Sequence, residues 1–160
     1  MHWIKLAFTR YFDFSGRSQR REYWSFLVFW LIVWIVTAWI DRAAGLRLPV
    51  PNGEAKPFVG LLATIFLLAT FIPGLAVGVR RLHDSNRSGW WTALPFAPIL
   101  LLVVAAMTGL MPPVPFRFLP LLVLIPPVVL LILMCLGGTS GPNRFGADPR
   151  GVEDVADVFR

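Results

Sequence analysis

Charged residues cluster along this chain, and long apolar runs separate the clusters. Tyr23–Ile40 is 18 residues without a charge, Phe58–Val79 is 22, Ser88–Phe116 is 29 and Phe118–Asn143 is 26. An α-helix needs about 20 mainly apolar residues to cross the hydrocarbon core, with a range of roughly 17–25. Each run therefore holds one span and none holds two. The pattern predicts transmembrane helices near 23–40, 58–79, 90–111 and 118–136. A closed β-barrel is the other way to satisfy every backbone polar group in lipid, but its strands alternate apolar and polar residues. The run Leu61-Leu62-Ala63-Thr64-Ile65-Phe66-Leu67-Leu68 does not alternate. Helices are expected.

Prolines punctuate these runs at Pro73, Pro95, Pro98, Pro120 and the pair Pro126–Pro127. Each removes a backbone donor and crowds the preceding turn, so kinks are expected there. The pair Pro126–Pro127 reads either as a static kink or as a hinge in a broken, cavity-lining helix. Ahead of the first span, Trp3, Ile4, Ala7, Phe8, Tyr11 and Phe14 share one helical face, with Lys5, Thr9 and Asp13 opposite. That pattern predicts a short amphipathic helix over 3–14 lying in the membrane interface. The fold expected is all-α. It is an integral membrane four-helix bundle over 23–136, with an interfacial N-terminal segment at 1–22 and a turn-rich tail at 137–160.

Composition agrees. Of 160 residues, 56% are hydrophobic and only 15% charged, against about 25% charged in soluble domains. The mean hydropathy is +0.66. A single soluble domain is excluded, because the chain has too few polar groups to cover its own surface. Disorder and a disulfide scaffold are excluded too, Cys135 being the only cysteine. Cys135 closes the fourth span and is expected to be a small buried hydrophobe.

The net charge is +6 and the pI about 10.7, which raises nucleic acid as a partner until the positions are read. Eleven Lys and Arg flank the N-terminal segment, the second loop and the tail, and four flank the first and third loops. By the positive-inside rule both termini and the second loop are expected in the cytoplasm, with 41–57 and 112–117 opposite. The charge is thus a topology signal and no nucleic-acid partner is expected. The 22 residues before the first span exceed a signal peptide's basic segment, so that span should stay on the mature protein.

Three polar stretches carry the candidate chemistry. Gly16-Arg17-Ser18-Gln19-Arg20-Arg21-Glu22-Tyr23-Trp24 precedes the first span. Arg80-Arg81-Leu82-His83-Asp84 runs on through Arg87 to Ser88-Gly89-Trp90 between the second and third spans. Gly137–Pro149, with Asn143, Gly146 and Asp148, follows the fourth. This layout resembles the bacterial inner-membrane family known as domain of unknown function 805, the YhaH/YhaI-like proteins. That family is marked by Gly-Arg-x-x-Arg-x-x-Tyr-Trp, by Arg-Arg-Leu-His-Asp running into Ser-Gly-Trp, and by Gly-x-Asn and Gly-x-Asp-Pro in the tail. The resemblance spans nearly the whole chain, with Ala147 standing where the family often has proline. It implies a four-helix inner-membrane protein and brings no reaction with it.

Elementary chemistry narrows the roles. Arg80 and Arg81 suit a helix C-terminus, where cations meet unpaired carbonyls, and Ser88 suits an N-cap for the third helix. Trp24, Trp90 and Trp91 suit the headgroup belt. Asp84 could raise the affinity of His83 for a proton, or could pair with Arg17, Arg20 or Arg81 and clamp the loop to the N-terminal segment. Arg17, Arg20, Arg80, Arg81 and Arg87, with His83, Asp84 and Asn143 beside them, could instead form an anionic-ligand site. Catalysis by His83 and Asp84 lacks a nucleophile and an oxyanion donor. His2, His83 and Cys135 do not make a metal set, and Gly137, Gly138 and Gly141 lack the lysine of a phosphate loop. No cofactor and no catalytic residue is expected. Glu153, Asp154 and Asp157 are expected to be solvated.

The function expected is that of a non-enzymatic inner-membrane protein in the lipid bilayer. Its basic cytoplasmic face would meet anionic phospholipid headgroups, a membrane-protein partner or a second copy. A small channel or transporter subunit is the first alternative, although no predicted span contains a charged residue. A lipid-modifying enzyme using His83 and Asp84 is the second.

Overall fold

The computed structural model describes residues 2–46, 60–109 and 118–151. The first expected loop beyond residue 46, the turn at 112–117 and the acidic tail with Glu153, Asp154 and Asp157 lie outside them. Among the described residues the chain is helical: α1 His2–Thr9, α2 Arg20–Ala44, α3 Leu61–Asp84, a 3₁₀ segment Gly89–Phe96, α4 Ala97–Thr108 and α5 Leu119–Cys135. Three helical stretches are long and apolar enough to cross a membrane: α2 with 25 residues, α3 with 24, and the 3₁₀ segment with α4 spanning 20. The fourth, α5, is apolar and 17 residues long, about 26 Å at helical rise. A helix stands at each of the four expected positions, three of span length and one shorter, and α2 and α3 run on into the flanking charges.

The chain divides into two compact units, Met1–Phe14 with Arg21–Val77, and Ser15–Arg20 with Gly78–Arg160. In the first, the core is Ala7, Phe26 and Val77, with Tyr23 and Trp30 packed against it. The N-terminal helix is shorter than its apolar pattern. It ends at Thr9, whose hydroxyl turns back to the Leu6 carbonyl, and an Arg10–Asp13 ion pair closes the following turn. Its apolar face is divided. Ala7 is buried, Phe8 meets Phe26 and Phe29 edge-on or tilted, and the Tyr11 hydroxyl donates to the Ala69 carbonyl. Phe12 stays exposed. Between α2 and α3, Trp30 Nε1 donates to Thr70 Oγ1 at 2.9 Å. Thr70 Oγ1 donates in turn to the Phe66 carbonyl, so both polar groups are paired where lipid offers no partner.

The start of α3 is capped from a distance. Gly60 precedes the helix and has no side chain to accept from the first-turn amides. Asp41, near the end of α2 and 3% exposed, supplies both acceptors: Leu62 N–H donates to Oδ1 at 3.0 Å and Ala63 N–H to Oδ2 at 2.8 Å. Leu61 N–H donates to the Leu46 carbonyl. The carboxylate also sits at the positive end of the α3 dipole. Gly60 is forced, since a Cβ there would collide with the Asp41 side chain. Asp41→Ala is expected to lower stability by about 1–2 kcal/mol, and Asp41→Asn by less because it keeps one acceptor. Thermal unfolding in detergent measures both, and an unchanged midpoint for Asp41→Ala would refute the cap.

In the second unit, Ser88 caps the 3₁₀ segment, accepting from the Trp90 amide. The third span does not begin as an α-helix. Pro95 and Pro98 lack amide donors and would press on carbonyls four residues back, so the chain takes the tighter 3₁₀ spacing until Phe96, with the Ala97 amide donating to the Leu94 carbonyl. By contrast, α5 runs through Pro126–Pro127 without a break, and the broken-helix alternative is not what forms. Cys135 is exposed rather than buried, and its neighbour Met134 takes the internal place.

Candidate functional site

The sequence-predicted residues converge in the second unit, where α3 ends, α5 ends and residues 15–20 pass. Helix α3 continues to Asp84 and stops in a Schellman turn. The Arg87 amide donates to the Leu82 carbonyl and the Asn86 amide to the His83 carbonyl, with Asn86 left-handed at φ 57°. The four polar residues Arg80, Arg81, His83 and Asp84 thus ride on the last helical turns.

Asp84 is the centre, 4% exposed. Arg17 Nε and Nη2 reach its Oδ1 at 3.1 and 2.9 Å, and Arg81 Nη1 reaches its Oδ2 at 2.5 Å. Both guanidiniums also donate to backbone oxygens. Arg17 donates from Nη1 to the Gly141 carbonyl at 2.6 Å and from Nη2 to the Thr139 carbonyl at 2.6 Å. Arg81 donates from Nε to the Met134 carbonyl at 3.1 Å and from Nη2 to the Leu136 carbonyl. The expectation that Arg81 closes its own helix is therefore corrected: it takes up the orphan carbonyls at the end of α5. Arg20, exposed, adds a bond from Nε to the Leu136 carbonyl at 3.1 Å. Two cations against one carboxylate leave an excess positive charge, and the tail carbonyls with Asp148, 3.9 Å from Arg17, offset it.

The tail is fitted around this triad. The Asp84 carbonyl accepts from the Thr139 amide at 2.9 Å and from its hydroxyl at 3.2 Å. Asn143 Nδ2 donates to the His83 carbonyl at 3.0 Å and to Thr139 Oγ1 at 2.9 Å, while its Oδ1 accepts from the Phe145 amide. Asn143 and Gly146 exchange backbone bonds across the tail's turn. Asp148 accepts from the Gly141 and Arg150 amides. The Arg150 amide, above all, holds the Asp148 carboxyl below its usual range, with burial opposing it. Gln19 Nε2 donates to the Pro149 carbonyl at 2.8 Å.

The His83 and Asp84 side chains have different partners. The ring nitrogen Nδ1 lies 3.1 Å from the Gly16 carbonyl, so Nδ1 carries the proton. The ring stacks on Phe145 with centroids 3.8 Å apart and planes 3° apart, and Arg144 lies over Phe145. Among the described residues no carboxylate touches the imidazole, so the neighbour that was to favour its charged form is elsewhere. Arg80 is fully buried, and its carbonyl accepts from the Ser18 amide at 3.0 Å. Arg87 stands apart, and among the described residues it reaches only the Ser85 carbonyl, at 3.5 Å. The structure brings Arg17, Arg20, Arg81, Asp84 and Asn143 of the candidate set around one cluster, and adds Gly138, Thr139, Gly141, Phe145 and Asp148, which the set left out. The tail motif around Gly146 and Asp148 was the available signal.

Comparison with known proteins covers most of the chain. The family described as "Protein of unknown function (DUF805)" matches residues 11–147. "Inner membrane protein YhaI" of Escherichia coli (strain K12) is 36% identical over 150 residues, covering 94% of this chain and 97% of that protein. "Inner membrane protein YhaH" of the same strain is 33% identical over 150 residues, covering 94% and 98%. "Uncharacterized protein YiiR" is 32% identical over 149, covering 91% and 92%. No solved structure matches. With the arginine–aspartate motifs, the apolar helices and the family match all falling on one chain, this is a membrane protein belonging to the DUF805 family.

Proposed function

We propose that this chain is a non-enzymatic multi-pass protein of the bacterial inner membrane, with both termini cytoplasmic. Its motif residues build a rigid polar cap, and the exposed arginines of that cap meet anionic phospholipid headgroups. The observation that carries the reading is the state of Asp84. Both its oxygens are taken by buried guanidiniums, so it cannot serve as a base, and the side chains of Arg17 and Arg81, 1% and 0% exposed, are closed off from an outside anion. The candidate anionic-ligand set therefore divides. Arg17, Arg80 and Arg81 are internal, whereas Arg20, Arg144 and Arg150 are exposed and Arg87 half-buried. Exposed cations at a leaflet surface contribute about 1 kcal/mol each toward anionic lipid. The orientation rests on the excess of Lys and Arg beside the segments that carry the motifs.

The test is thermal unfolding in nanodiscs with and without phosphatidylglycerol, at low and high salt. The anionic lipid is expected to raise the midpoint, and salt to erase much of the gain by screening. The triple replacement Arg20→Gln, Arg144→Gln, Arg150→Gln is expected to reduce the gain. Equal midpoints in the two lipids would overturn the proposal.

A further inference from the structure

The first unit carries an apolar groove of about 510 Å³ between α1 and α2, lined by Ile4, Trp24, Ser25, Val28, Phe29 and Ile32. Its volume lies within the usual range of small-molecule sites, roughly 300–1,000 Å³. The α2 wall has a definite order. Arg21, Ser25, Val28 and Ile32 follow one another at helical spacing and share one face. From Arg21 to Ile32 the helix rises about 16 Å at 1.5 Å per residue, close to half of a hydrocarbon core about 30 Å thick. The stripe therefore passes from a cation, through one hydroxyl, into purely apolar side chains over the depth of one leaflet.

The cation at the head of the stripe is Arg21, and α1 carries a second, Lys5. Arg21 and Lys5 are both exposed, and among the described residues neither makes an ion pair. Lys5 follows the groove residue Ile4 on α1, on the polar side of that helix, and Trp24 lies one turn after Arg21 on α2. An indole at that level suits the headgroup boundary. Charge at one end and an apolar channel at the other match one chemistry, a phospholipid with a net negative headgroup.

We propose that this groove is a binding site for a single anionic phospholipid, its phosphate between Lys5 and Arg21 and an acyl chain along Val28, Phe29 and Ile32. The assignment rests on the lipid-binding reading above and names a place for it that the exposed arginines of the cap do not supply.

Native mass spectrometry of the detergent-solubilised protein, offered equal phosphatidylglycerol and phosphatidylcholine, tests it. One phosphatidylglycerol is expected to remain bound. Removing each headgroup cation is expected to weaken retention about fivefold, and about 25-fold in Lys5→Gln with Arg21→Gln together. Val28→Trp, at a position 54% exposed, fills the groove and is expected to abolish retention, while Val28→Ala keeps it. Arg42→Gln, at the far end of α2, is expected to leave it unchanged. Thermal midpoints separate folding failure from lipid loss, and the Lys5–Arg21 pair decides if Val28→Trp misfolds. A phosphatidylglycerol preference that survives both groove variants overturns this site and leaves the broader lipid reading standing. No preference in the unaltered protein overturns both, and a dimer mass in place of bound lipid assigns the groove to a second copy.

Discussion

Asp84→Asn is expected to cost about 3–5 kcal/mol and to remove most of the protein from the membrane fraction. The side chains of Arg17 and Arg81 are 1% and 0% exposed, and among the described residues Asp84 is the one carboxylate bonded to both. Asparagine preserves shape and one acceptor oxygen but not the charge, so two buried guanidiniums are left with Asp148, 3.9 Å from Arg17, as the nearest remaining carboxylate among the described residues. Removing one partner of a buried ion pair costs far more than the pair contributes, because the desolvated charge remains. Thermal unfolding in detergent and the yield of membrane-inserted protein measure the effect. Arg17→Lys should be intermediate. It keeps the charge but loses the planar fork that serves Asp84, Thr139 and Gly141 together. His83→Ala removes a ring stacked on Phe145 and should cost only about 1 kcal/mol. An order reversed from this, with His83→Ala abolishing a phenotype while the protein accumulates and Asp84→Asn remaining stable, would restore the catalytic reading of the pair.

The contrast between these residues shows what the sequence could disclose. Apolar run length located the four apolar helices, and α5 matches its expected bounds to within a residue at each end, because hydropathy is a local property. The pairing of Asp84 with Arg17 and Arg81 was among the alternatives, since opposite charges in short, specific motifs have few ways to be buried. Most partners of those arginines were out of reach, however. The carbonyls of Met134, Leu136, Thr139 and Gly141 belong to the backbone, and a side-chain sequence does not mark which carbonyls will be used. The Asp41 cap was hidden for a related reason: its amides lie 21 and 22 positions downstream, beyond any helical or strand period. The 3₁₀ start of the third span was closer to legible. Pro95 and Pro98 were seen as kinks, but a proline can be met by bending the helix or by tightening it, and the sequence alone does not choose.

Gly138→Ala is the second large effect expected, about 2–3 kcal/mol from a single methyl group. Gly138 is not among the glycines with left-handed backbone, so conformation does not demand it; space does. A Cβ there would fall 2.6 Å from Asp84 Cγ and 2.8 Å from Oδ1, with Oδ2 closer still. A free carboxylate would rotate away from such a contact. This one is held at one oxygen by Arg17 and at the other by Arg81, so the strain must pass into the tail or break an ion pair. Gly137→Ala provides the contrast. Its nearest foreign atom is Nη2 of exposed Arg20 at 3.0 Å, the far end of a flexible chain, and the cost should stay within about 1 kcal/mol, the cheap end of the overpacking range. A double-mutant cycle makes the cause explicit. In Asp84→Ala the colliding carboxylate is gone, so adding Gly138→Ala should cost little more, with a coupling energy of about 1–3 kcal/mol. Thermal unfolding of the four proteins decides. Strict additivity would mean that Gly138 is required by something other than the clamped Asp84, and the tail would then be held in place without that close approach.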